Sequence, residues 1–244
     1  MLKLISYDFR RSRDRILAVL VIMILFQIGV WLSSGTTIEE TVSIHLIVYF
    51  VVGTIFLFFA AFSYNSNLKS YSRRLIPVNA IYTVLSPLLL YWLLLVSLLL
   101  IGLIHLGLYV LLYSVDFMPA NFWPVAAYSA LQCTWSAGLI LLMVMFACTV
   151  ACSIPLKGKV WITLAVVAVL ENGVAYLEKL LFNNYFVGLD NAFRFEVIKA
   201  SELPSGIELV YTGSDLIGVL AFEAGVAVLL VYAMILMIRK RTEI

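Results

Sequence analysis

Long apolar runs alternate with short polar breaks along the whole chain. Six of these runs approach the roughly 20 residues that an α-helix needs to cross a bilayer. We therefore predict an all-α membrane protein, with one transmembrane domain over residues 1–244 and six transmembrane helices. The predicted spans cover residues 16–33, 42–62, 84–113, 125–150, 160–181 and 215–238.

Composition agrees with this pattern. The 244 residues are 64% hydrophobic and 12% charged, whereas soluble domains carry about 25% charged residues. A chain with so few charges has no means of covering a water-exposed surface. We therefore expect an integral membrane protein.

The basic residues lie almost entirely on one side of the predicted topology. Lys and Arg concentrate in cytoplasmic segments of membrane proteins, so we predict that both termini face the cytoplasm. Only Lys179, Arg194 and Lys199 fall on the other side. The thirteen residues on the predicted cytoplasmic side are Lys3, Arg10, Arg11, Arg13, Arg15, Lys69, Arg73, Arg74, Lys157, Lys159, Arg239, Lys240 and Arg241.

The N-terminal residues 1–15 have an amphipathic pattern. Leu2, Ile5 and Phe9 recur at spacings of three and four, and the arginines lie elsewhere in the segment. This pattern predicts an interfacial helix that lies along the membrane surface before the chain turns inward. The alternative is an unstructured basic tail.

The link between the fifth and sixth spans, residues 182–214, is long and contains many aromatic and branched residues. A fully solvated loop does not need them. We predict one or two short helices, re-entrant or lying in the outer leaflet, broken near Gly188 and at residues 204–206. The alternative is a small external cap that folds on itself.

A polar break at residues 63–80 separates the second and third predicted spans. It carries Lys69, Arg73 and Arg74 without any acid, and Pro77 follows. Polar backbone at a bilayer must be in water or against protein. We predict a short helix on the cytoplasmic face that binds a partner protein.

Two acids fall inside apolar runs, Glu171 in the fifth span and Glu223 in the sixth. Carboxylates inside a membrane are costly and usually face the protein interior. With the neighbouring Asn172 they form a candidate intramembrane polar site, for a proton, a substrate or a basic group. The alternative is a hydrogen-bonded contact that fixes how the two spans pack.

Enzyme and metal signatures are absent from the sequence. It contains no HExxH, GxSxG or GxxxxGK[ST] motif, which excludes the zinc-protease, serine-hydrolase and ATP-binding sites that these motifs build. His45 and His105 have no second ligand at metal-binding spacing. The dispersed basic residues do not form a nucleic-acid groove. We predict no catalytic residue and no metal site.

Residues 69–79, KSYSRRLIPVN, carry the most specific resemblance of this chain. The stretch is similar to one in the permease subunits of type-2 ABC transporters, in which basic residues and an apolar-apolar-Pro step precede the third span. The family's stretch often carries acids as well, and this one has none. The resemblance implies an interfacial helix at Met1–Arg15, a coupling helix at about Asn65–Asn79 and re-entrant helices at about Phe182–Ser214.

The resemblance also implies a function. The chain is expected to be the membrane subunit of an exporter in a bacterial plasma membrane, moving an amphipathic or hydrophobic peptide, antibiotic or lipid. It has no cofactor of its own, because two copies of a separate ATPase bind ATP and Mg²⁺. A second copy of this chain, or a related permease, completes the pathway. The ATPase-coupling residues implied are Lys69, Tyr71, Arg73, Arg74, Leu75, Ile76 and Pro77.

Two other classes of function stay open at this point. A non-transporting immunity or sensor protein that sequesters a toxic peptide needs no ATPase. A secondary transporter coupled to protons through Glu171 or Glu223 would predict internal repeats, and the two halves of the sequence show none.

Overall fold

Six long helices and one pair of antiparallel strands occur in the residues that the structure describes. A computed structural model describes residues 2–32, 38–69, 79–113, 121–154, 158–182, 195–199, 207–211 and 216–242. The elements are α1 (Leu2–Leu32), α2 (Ile38–Lys69), α3 (Ala80–Tyr113), α4 (Phe122–Ser153), α5 (Lys159–Phe182), β1 (Phe195–Lys199), β2 (Ile207–Tyr211) and α6 (Leu216–Thr242).

Each of the six helices is long and apolar enough to cross a membrane. Their apolar segments have 24 to 33 residues and mean hydropathies of 1.8 to 2.6. Since a helix rises about 1.5 Å per residue, even the shortest segment exceeds the roughly 30 Å of a hydrocarbon core. The prediction of a six-helix membrane protein is confirmed.

The helix ends differ from the predicted spans for local reasons. The α3 helix begins at Ala80 because Asn79 caps it, its Oδ1 accepting a hydrogen bond from the Ile81 amide at 3.3 Å. Pro87, expected to mark an entry or a kink, lies inside this helix. The α4 helix includes Pro124 in its first turn, where a missing backbone N–H has no consequence.

The N-terminal residues are helical, but they do not form a separate interfacial helix. The α1 helix continues from Leu2 to Leu32, so the predicted turn inward after Arg15 is wrong. The reason lies in one helix face: Asp8, Ser12 and Ile16 follow at intervals of one turn, and all three are buried. The buried stripe therefore runs past residue 15 without a break.

The link between α5 and α6 contains strands where helices were predicted. Residues Phe195–Lys199 pair antiparallel with Ile207–Tyr211, so the helical prediction is wrong for these ten residues. Their sequences, FEVIK and IELVY, are rich in aromatic and branched residues, which favour strands. The rest of this link, including the predicted breaks at Gly188 and residues 204–206, lies outside the described residues.

The chain forms two compact units, Met1–Gly102 and Leu103–Ile244. In the first unit, α1 and α2 pack antiparallel, and hydrogen bonds join them at two places along their length. The Tyr49 hydroxyl donates to Gln27 Oε1 at 3.3 Å, and nearer the start of α1 the Arg11 guanidinium donates to Ser66 Oγ at 2.9 Å. The N-terminal part of α3 joins this pair, since the Tyr91 hydroxyl donates to the α2 backbone at 3.4 Å.

In the second unit α4 contacts both α5 and α6. It is the most buried of the six helices. Of the residues in its most apolar segment 67% are buried, compared with 6% for α5 and 22% for α6. Gly158 precedes α5 with φ +92°, a backbone conformation that suits glycine because a Cβ is strained there. Its carbonyl accepts the first bond of the helix, from the Trp161 amide at 3.0 Å.

The helices α5 and α6 approach closely at Gly218. A Cβ built there would lie 2.8 Å from Phe182 Cε1, and the Phe182 ring also meets Phe222 edge to face with 6.3 Å between centroids. Gly225, farther along α6, has nothing within 4 Å of a built Cβ. The close approach therefore depends on a missing side chain at one position of α6.

We predict that Gly218→Ala is less stable than Gly225→Ala by about 1 kcal/mol. The new methyl group displaces the Phe182 ring and disturbs its contact with Phe222, and overpacking of this kind costs about 1–3 kcal/mol. Gly225→Ala is the matched control, because its methyl group meets no neighbour in the described residues. Unfolding of both variants in detergent micelles measures the difference, and equal stabilities would contradict the close contact.

Candidate functional site

The predicted ATPase-coupling residues lie at the junction of α2 and α3. Lys69 is the last residue of α2, so Asn65–Lys69 belong to that helix and are not part of a separate coupling helix. The other coupling residues, which are Tyr71, Arg73, Arg74, Leu75, Ile76 and Pro77, lie outside the described residues. The structure nevertheless describes what holds the two helices on either side of them.

Asp8 connects three helices beside this junction. Asn67 of α2 donates to both oxygens of the Asp8 carboxylate, at 3.4 and 3.5 Å. Ser86 of α3 donates to Asp8 Oδ2 at 3.0 Å. All three side chains are at least 95% buried. We call this cluster of Asp8, Asn67 and Ser86 the Asp8 tie.

The Asp8 tie explains why α2 is longer than the apolar pattern predicts. The predicted second span ends at residue 62, but the helix continues through the polar sequence SYNSNLK to Lys69. Asn67 and the neighbouring Ser66 are both held by α1, the first by Asp8 and the second by Arg11. Interhelical hydrogen bonds of this kind stabilise polar turns that have little apolar surface to bury.

The predicted intramembrane residues separate into different environments. Asn172 is exposed, and its side chain bonds to the Ala168 carbonyl one turn earlier at 2.7 Å. The hydroxyls of Thr134, Thr149 and Thr163 also donate hydrogen bonds to carbonyls one turn earlier in their own helices. Such local bonds are common for short polar side chains. Asn172 is therefore not brought to a shared site with Glu223.

Glu223 is buried between helices. It is 2% exposed, and the Trp135 indole N–H of α4 donates to its Oε2 at 2.6 Å. A hydrogen bond to an ionised acceptor is stronger than a neutral one. This contact links α4 to α6 and orients the carboxylate.

The sequence analysis did not identify Glu178 as a site residue, and the predicted topology places it on the non-cytoplasmic side with the neighbouring Lys179. The structure buries Glu178 completely, at 0% exposure, near the end of α5. Among the described residues neither of its carboxylate oxygens has a hydrogen-bond partner. The signal that identifies it is helical spacing, because Glu171, Val174 and Glu178 follow at i, i+3 and i+7 on one face of α5.

Glu178 and Glu223 line one small cavity in the second unit. Its volume is about 30 Å³, which is room for one or two water molecules. Glu171, exposed on the same face of α5, borders it. The wall is otherwise apolar apart from one hydroxyl, and it consists of Ser136, Leu139, Ile140, Met143 and Val174. We call this space the two-glutamate cavity.

Comparisons with known proteins do not assign a function. No family model, no curated protein and no solved structure matches this chain. The function is therefore argued from the Asp8 tie, the two-glutamate cavity and the sequence pattern.

We predict that Asp8→Ala destabilises the protein by about 1–3 kcal/mol. The substitution leaves the buried donors of Asn67 and Ser86 without their acceptor, and an unsatisfied buried donor carries a desolvation penalty of this size. Unfolding in mixed detergent micelles measures the loss.

Asp14→Ala is the matched control for this prediction, because the Asp14 side chain is 87% exposed and contacts only the neighbouring Arg13. A change within about 0.5 kcal/mol is expected there. If both variants unfold at the same detergent fraction, Asp8 does not tie the three helices.

Proposed function

We propose that this protein is the membrane subunit of an ATP-driven exporter, with residues 70–78 as the segment that a separate ATPase pushes. The observation that supports this proposal is the Asp8 tie. Asn67 precedes the segment, Ser86 follows it, and both bond to one carboxylate of α1. Force applied to the segment is therefore transmitted to α1, α2 and α3 together.

The tie matters because a lever needs a rigid attachment. Without it, displacement of residues 70–78 would unwind the end of α2 or bend the start of α3, and the motion would stop there. Buried hydrogen bonds at low dielectric resist such local deformation. Nucleotide-driven closure of two ATPase subunits would then tilt whole helices, as alternating access by rigid-body motion requires.

The charge and the apolar residues in the sequence of this segment favour a protein partner. Lys69, Arg73 and Arg74 have no acid among them, which favours an acidic surface. We propose that residues 70–78 form the coupling helix, with Tyr71, Leu75 and Ile76 in an apolar groove of the ATPase. Anionic lipid attracts the same basic residues by about 1 kcal/mol each, so the test must separate lipid from protein.

The rest of the proposed assembly follows from the chemistry of the chain. The sequence has no ATP-binding motif, so two ATPase copies supply ATP and Mg²⁺ binding. A second copy of this chain, or a related permease, forms the other half of the pathway in a bacterial plasma membrane, with both termini in the cytoplasm. The apolar surface of the helices suits an amphipathic peptide, antibiotic or lipid as cargo.

We predict that reversing two charges, Arg73→Glu with Arg74→Glu, separates the protein from its ATPase. The full chain is purified from its native membranes with an affinity tag, and the co-purifying nucleotide-hydrolysing subunit is quantified. Two lost ion pairs and the new repulsion should reduce its amount by about tenfold or more. ATP-dependent cargo transport in reconstituted vesicles should fall with it.

The matched control is Arg10→Glu with Arg15→Glu, the same charge reversal at two exposed residues of α1. If these arginines only attract anionic lipid, the ATPase stays bound to both double variants. Normal ATPase recovery and transport from the Arg73 and Arg74 variant would overturn the proposal. Cargo transport or toxin protection that persists in cells without an ATPase would overturn it in favour of a carrier or an immunity protein.

A further inference from the structure

The two-glutamate cavity contains more negative charge than its surroundings neutralise. Glu178 and Glu223 are 0% and 2% exposed, and both line the cavity. Trp135 donates one hydrogen bond to Glu223, but Glu178 has no partner for either oxygen within the described chain. Two ionised carboxylates in an apolar, largely water-free site are strongly unfavourable unless a cation joins them.

No basic side chain faces the pair from the three helices that line the cavity. The sequence of α4 contains no charged residue. On α5, Lys179 follows Glu178 directly and is exposed, because adjacent residues of a helix point about 100° apart. On α6 the next charged residue after Glu223 is Arg239, about 24 Å along the helix. The other charged residues of α5 are Glu171, which borders the cavity, and Lys159, which is the first residue of the helix.

A third polar group in the cavity points to a ligand independently of the acids. Ser136 is 2% exposed and lines the cavity, yet its Oγ has no hydrogen-bond partner in the described part of the chain. Buried hydroxyls are normally satisfied by protein or by a bound species. Carboxylate and hydroxyl oxygens are hard ligands, of the kind that bind protons and hard metal cations.

We propose that the two-glutamate cavity binds a small monovalent cation, a proton or Na⁺, between Glu178, Glu223 and Ser136. One such cation reduces the charge of the pair from two to one and satisfies the oxygens that the helices leave open. The Trp135 indole orients the Glu223 carboxylate by donating a hydrogen bond to Oε2 at 2.6 Å.

The size of the cavity selects the class of ligand. About 30 Å³ admits one or two species of the size of water, which covers Na⁺ or a hydrated proton. A peptide, antibiotic or lipid is far too large. The proposed cation site does not depend on whether an ATPase drives the protein.

The position of the cavity along the helices indicates which membrane face lies closer to it. Glu178 lies one turn before α5 ends at Phe182, and Glu223 lies two turns after α6 begins at Leu216. The site is therefore close to the membrane face that carries the link between these helices. Glu171, which is exposed on the same stripe of α5, lies two turns before Glu178 and therefore farther from that membrane face.

Two measurements on the purified full chain in lipid nanodiscs test this proposal. If the bound cation is a proton, infrared difference spectra at neutral pH show a protonated-carboxyl band that Glu178→Gln or Glu223→Gln removes. If it is Na⁺, replacing choline chloride by sodium chloride raises the unfolding temperature, since a ligand that binds only the folded state stabilises it. Glu178→Gln then abolishes the Na⁺-dependent rise.

The variants are chosen so that the protein still folds. Glutamine has the shape of a neutral glutamic acid, and at position 223 it retains an acceptor for Trp135. Asp14→Asn, which alters an exposed carboxylate, is the matched control and leaves both signals unchanged. A wild-type protein with no protonated-carboxyl band from Glu178 or Glu223, and with equal unfolding temperatures in the two salts, overturns the proposal.

Discussion

Hydrocarbon offers no hydrogen bonds, so a membrane-spanning helix must satisfy every buried polar group within the protein. This constraint governs where the polar residues of the chain lie. Isolated threonines bond to their own helix one turn back. Asp8 has no such local solution, and it bonds instead to Asn67 and Ser86 on two other helices. The position of one carboxylate thus determines which three helices meet at this end of the first unit.

The same constraint makes the two-glutamate cavity unusual. At the Asp8 tie the carboxylate accepts hydrogen bonds from donors on both neighbouring helices, and buried hydrogen bonds of this kind rigidify a structure. At Glu178 the neighbouring helices supply no donor among the described residues. A buried group left in this state commonly marks a functional site or a missing ligand. Because of this difference, we propose a mechanical role for the Asp8 tie and a binding role for the two-glutamate cavity.

These two roles belong to different parts of the proposed machine. The Asp8 tie borders residues 70–78, the basic segment that we assign to the ATPase. The two-glutamate cavity lies near the end of α5 and near the start of α6. A cation bound there affects how α4, α5 and α6 pack, because all three helices line the cavity.

The sequence by itself determined the number of spans and their approximate limits, because a run of about 20 apolar residues has the length of a helix that crosses a bilayer. It also identified Glu223 as a residue that must face protein. Only the tertiary structure decided which polar residues meet. Asp8 looked like part of a solvated basic segment and Glu178 like part of an external surface, since each is buried by residues far away in sequence. The strands of FEVIK and IELVY were missed for the same reason, because a strand is stabilised by its partner and not by its own residues alone.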